Sequence, residues 1–135
     1  MSHPAVPGCM PETVRAADGY DSDAPFEQGK IHDGVLYTAG QVPTDPATRE
    51  IVGEDIETQT RQTLENLEAI LREAGTSFEN ALQVGVYLTD MDDFDGFNAV
   101  YRELMPEPRP ARTTVEVSDL AIPVRVEIDM IVALD

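Results

Sequence analysis

Tryptophan is missing from this 135-residue chain, and cysteine, histidine and lysine nearly so: Cys9, His3, His32 and Lys30 are the only ones. A single cysteine cannot close an internal disulfide. With one histidine in a Pro-rich lead-in and the other in a turn, a Ser-His-Asp or Cys-His nucleophile arrangement has no base to use. Zinc-binding spacings such as HExxH or paired cysteines are absent, as are an EF-hand loop, a P-loop and a GxGxxG turn after a strand. No metal and no cofactor is therefore expected, and the many carboxylates read as solvated surface. Chemistry falls to Arg, Asp or Glu, hydroxyls, backbone groups and water. Nor does any apolar run approach the ~20 residues that a membrane helix needs. The start, "MSHPAVPGCMPETVRAADGY", lacks a basic segment followed by an apolar core, so a cytoplasmic location is the expectation.

Positive charge is the other scarcity. Nine basic residues face 26 acidic ones, for a net charge of −17. Such a surface repels phosphate backbones and anionic lipids, which argues against nucleic-acid and membrane partners. It suits a very soluble protein. The near-absence of lysine points further, to a salt-rich cytoplasm in which screening removes carboxylate repulsion.

What is present has the periodicity of one α+β domain. Residues 1–23, with Pro4, Pro7 and Pro11 and the polar run "DGYDSD", read as an extended or partly disordered lead-in, and 24–135 as the folded domain. "FEQGKIHDGVLYTAGQ" reads as two strands turned at His32, Asp33 and Gly34. "VPTDPATREIVGED" is a loop punctuated by Pro43 and Pro46. Leu64, Leu67, Ile70, Leu71 and Ala74 follow helical spacing, which predicts a helix over 56–74 with Asp55 as N-cap and Gly75 as its stop. "ALQVGVYLT" alternates as a strand. Phe94, Phe97, Tyr101, Leu104 and Met105 mark a second helix, capped by Asp92 or Asp93 and ended by Pro106 and Pro108. Two further strands complete a mixed sheet with both helices on one face. The other face is expected to carry Thr38, Gln83, Tyr87, Thr114, Glu127 and Ile131, a mixture that suits a solvated surface or a subunit interface.

Those last two strands, "RTTVEV" and "VRVEIDM", are expected to pair as a hairpin across "SDLAIP". In the register joining Val117 to Val124, Arg112 shares a face with Glu127 and Asp129. One reading is a cross-strand ion pair, worth about 0–1 kcal/mol if exposed. The other is functional: the guanidinium of Arg112 forks onto a substrate carboxylate, and a partly shielded Glu127 of raised pKa handles a water or a proton.

Three stretches, "YTAGQVPTDPATREIVGEDIETQTRQTLENLEAIL", "VYLTDMDDFDGFNAVY" and "RPARTTVEV…VRVEIDMIVAL", resemble the reactive-intermediate deaminase (RidA/YjgF) family. The specific part is PARTTVEV followed by VEI, and the likeness spans about 24–134. It implies a chorismate-mutase-like fold in a homotrimer, with active sites in the clefts between subunits. It also implies cofactor-free hydrolysis of 2-enamine or 2-imine acids, of the 2-aminoacrylate or 2-aminocrotonate type, to 2-keto acids and ammonia. Arg112 then becomes the carboxylate-binding arginine and Glu127 the water-positioning acid, with Gly40, Asn98 and Pro110 at further motif positions. Phe26 stands where tyrosine is usual, Ala39 where serine is, and Thr114 where cysteine is common, with its backbone amide kept beside the substrate. Two other functions stay open on the same resemblance: an endoribonuclease or translation inhibitor, and a non-catalytic trimer that binds 2-keto acids.

Overall fold

Asp33 and Gly34 adopt positive φ angles of 52° and 74°, the geometry of a two-residue hairpin turn. They fold strand β2 (Gly29–His32) back on β3 (Val35–Thr38), as the Asp-Gly pair predicts. The computed structural model describes residues 11–19 and 23–134; His3 and Cys9 lie outside them. Within the lead-in, Glu12–Val14 forms strand β1 against β2, so the sheet begins well before residue 24. Val14 and Ala16 are buried, and the Gln28 side chain bonds both the N–H and the carbonyl of Ala16.

Helix α1 spans Ile56–Ala74. The Asp55 carboxylate accepts from the Thr58 N–H at 2.9 Å, and Gly75 ends the helix at φ 83°, so both predicted signals act where expected. Its buried face carries amides as well as leucines. Asn66 donates to the carbonyls of Val42 and Thr44, and Gln59 bridges the Gly53 carbonyl to the Arg125 N–H. The Pro-rich loop is thereby fastened to the helix rather than left to solvent.

Strand β4 (Ala81–Leu88) leads into helix α2 (Phe94–Leu104) through a 3₁₀ turn at Met91–Asp93. Asp93 takes the N-cap position of α2, as the sequence predicts, but without a side-chain cap bond; the side chain that caps is Asp90, at the 3₁₀ turn, whose carboxylate accepts from the Asp92 N–H. Asp93 is engaged elsewhere, in an ion pair with Arg125 at 3.1 Å.

The last two strands, β5 (Ala111–Glu116) and β6 (Val126–Ala133), do not form the expected hairpin. The sheet runs β1-β2-β3-β6-β4-β5. β5 pairs parallel to β4 at the edge, and β6 lies between β3 and β4, antiparallel to both. Helix α2 supplies the crossover that parallel strands require. This placement changes which side chains share a face. Arg112 and Thr114 align with Val84 and Val86, and so point to the helix side, while Glu127 aligns with Tyr87 on the opposite side. Thr38 also turns helixward, and its hydroxyl accepts from the Met130 N–H. Gln83, Tyr87, Glu127 and Ile131 do occupy the outer face.

Both helices pack on the first of these faces, where Leu36, Val84, Val86, Ile128 and Val132 meet Leu64, Leu67, Ile70 and Phe97 in one buried core. The result is the two-layer α+β domain with a mixed sheet that the element order predicts. Among the described residues, no helix is long and apolar enough to cross a membrane.

Candidate active site

The outer half of the site is built around a bulge. Tyr37 pairs with Ile131 and Gln41 with Ile128, so three residues, Thr38 to Gly40, oppose two. The extra residue bends the chain and sets Gly40 flat against the Glu127 side chain. A Cβ on Gly40 would stand 2.2 Å from Glu127 Oε2 and 2.7 Å from its Cδ. Only glycine allows that approach, which gives the motif glycine a physical reason.

Glu127 opens into a cavity of about 330 Å³ that is also lined by Phe26, Ala39 and Gly40. Three of the residues named from the sequence, Glu127, Gly40 and Phe26, therefore meet in one place. Burial pushes the Glu127 carboxyl above its ordinary range, and the nearby Asp129 charge pushes it the same way, as predicted. Asp129 is itself held by the Tyr87 hydroxyl, which donates to it at 2.9 Å. Gly85 makes room for this pair, since a Cβ there would lie 2.4 Å from Asp129 Oδ1. The bond to Asp129, with burial, raises the Tyr87 phenol.

The remaining residues gather elsewhere. Arg112 lies on the edge strand with its guanidinium carbon 4.8 Å from the Tyr101 ring centroid, 5.3 Å from Phe97 and 5.7 Å from Phe94. Three rings of α2 thus surround the cation, and among the described residues its guanidinium makes no hydrogen bond or ion pair. With Asn98, Tyr101, Arg102 and Arg109 it lines a separate cavity of about 250 Å³. The hydroxyls of Thr114 and Tyr101 are buried without a hydrogen-bond partner among the described residues. Burial raises the Tyr101 phenol, opposed by the charges of Arg112 and Arg109.

Arg112 and Glu127 consequently do not converge within one chain. They lie on opposite faces of the sheet, with β4 between their strands, and their cavities share no residue. The expected face-sharing fails because β5 pairs with β4 and not with β6. The chain offers two separate places: a cation with unclaimed donors at an edge, and a half-buried carboxyl in a cavity. Sequence reasoning missed the Tyr87–Asp129 pair and the ring cradle of Arg112. The aromatic spacing of α2 was visible but read only as core.

The chain matches the model of the endoribonuclease L-PSP family over residues 17–134. It is 45% identical over 122 residues to a RutC family protein of Pyrococcus horikoshii, covering 90% of this chain and 97% of the relative. Among solved structures it superimposes on RidA from an Antarctic Psychrobacter with a TM-score of 0.87 at 32% identity, covering 90% of this chain and 98% of that one. The E. coli YjgF gene product gives 0.86 at 31% identity, again over 90% and 98%. The chain belongs to the endoribonuclease L-PSP family, the group of RidA, YjgF and RutC proteins.

Proposed function

We propose that this protein hydrolyses 2-imino acids, in equilibrium with their 2-enamines, to 2-keto acids and ammonia, using sites completed between subunits of a homotrimer. The observation that carries the reading is Glu127: a half-buried carboxyl of raised pKa, pressed on Gly40, at the wall of a cavity. The complementary group is the Arg112 guanidinium, whose donors are free for a carboxylate. Arg112 of one subunit grips the substrate carboxylate, assisted by backbone N–H near Thr114, and the cavity of a neighbour receives the imine carbon. Glu127 takes a proton from water as its oxygen bonds to that carbon, then passes the proton to nitrogen. The hydroxyl of the resulting carbinolamine then gives its proton, through Glu127, to the amino nitrogen as the C=O bond forms, the C–N bond breaks and ammonia leaves. Fixing the carboxylate places the electrophilic carbon beside the water, an orientation effect as well as acid/base catalysis.

The test is subunit complementation. Arg112→Ala and Glu127→Gln are each expected to lower turnover of 2-iminopropanoate by about 10²-fold or more. Unfolded and refolded together in equal amounts, they are expected to regain about a quarter of wild-type activity, because random assembly gives one interface in four both intact groups. Wild-type rates from Arg112→Ala defeat the reading, and mixing without recovery defeats its intersubunit form. The family's own description supports a second reading, cleavage of RNA. The charge of −17 opposes it, and a nuclease assay on the same purified protein decides it.

A further inference from the structure

We propose that the Glu127 cavity selects 2-imino acids with a propyl-sized or larger aliphatic side chain over those bearing a methyl group, and rejects a second carboxylate. This rests on the imine-hydrolase reading and names its substrate class. Among the described residues, Glu127 is the only polar side chain in the cavity lining. Ala24, Phe26, Ala39, Val42, Ala121 and Ile122 supply the rest of the wall, with no hydroxyl, amide or cation among them. A methyl group occupies roughly the ~30 Å³ of one water molecule. Most of the 330 Å³ cavity would then hold water against apolar walls. A longer aliphatic chain expels that water and buries its own surface, a gain that grows with each methylene. A side-chain carboxylate would instead face Glu127, with no cation among the described residues of the lining. The substrate carboxylate is already assigned to Arg112, so its side chain is the part left for the cavity.

The chemistry of supply follows. Dehydration of serine or threonine yields only methyl- or ethyl-bearing imino acids. Larger aliphatic ones arise by oxidation of an aliphatic amino acid at its Cα–N bond.

The experiment uses the full chain in molar KCl. Imines are generated in situ by amino-acid oxidases from alanine, 2-aminobutyrate, norvaline, leucine and glutamate, and surviving imine is trapped with semicarbazide. The expected kcat/KM rises about fourfold for each added methylene from alanine to norvaline, stays high for leucine, and is lowest for glutamate. Ala39→Leu, which fills the cavity, is expected to turn this order round. Ile122→Ser, on the half-exposed side, is expected to flatten it and serves if the first variant does not fold. A flat or falling series in the wild type, or a glutamate-derived imine that matches leucine, overturns the selection. Turnover of none of the imines overturns the imine-hydrolase reading instead.

Discussion

Among the described residues Glu127 has no cation beside it to offset burial, and its charged neighbour, Asp129, has the same sign. The folded protein therefore holds the Glu127 proton to higher pH than the unfolded chain does. The stability that protonation contributes is fully present below the unfolded carboxyl value of about 4.3, and is lost as pH rises through the folded value. Glu127→Gln copies the protonated form. It is expected to raise the melting temperature above that of the wild type at pH 7 and to leave it unchanged at pH 4, as thermal denaturation in molar KCl would read. Asp129→Asn keeps the shape that Gly85 accommodates and removes the repelling charge. Ionised Glu127 then forms more easily, so the acidic limb of the kcat/KM profile is expected to move to lower pH.

At the scale of elements, the bulge between β3 and β6 couples backbone to chemistry. Gly40 has no positive φ to protect, so its requirement is contact with Glu127 alone. Gly40→Ala is expected to change urea stability little, because the displaced atoms end a side chain that swings into the open cavity. Turnover is expected to fall about 10²-fold as the carboxyl leaves its position. In a Glu127→Ala background the same substitution is expected to have no further effect on turnover, and that double-mutant cycle separates contact from general damage.

At the scale of the whole molecule, two surfaces oppose each other. The outer sheet face exposes Leu82 by 50%, Tyr37 by 47% and Val115 by 40%, area that association would remove from water. Against this, three copies of −17 gather −51 formal charges. Salt screens the repulsion and leaves the apolar contact intact. Light scattering is expected to find a trimer in molar KCl and smaller species as salt is withdrawn, with activity falling in parallel. An unchanged mass at low salt would remove both the salt-adapted surface and its link to assembly.

Local order determines much of this protein. The Asp33–Gly34 turn, the Asp55 and Gly75 ends of α1, and the alternation of β4 and β6 depend on neighbours a few residues away. The sequence shows them because φ angles, caps and side-chain periods are near-neighbour properties. A short motif likewise named Arg112, Gly40 and Glu127. Which strand lies beside β5 was decided only by tertiary structure. Alternation shows that Arg112 and Thr114 share a face, yet the same pattern fits either face until a partner strand sets the register. Packing α2 across the sheet joined β5 to β4, turned Arg112 onto three aromatic rings and left Glu127 on the far side. Long-range pairing of this kind depends on loop closure and core burial summed over the whole chain, which no single stretch of sequence contains.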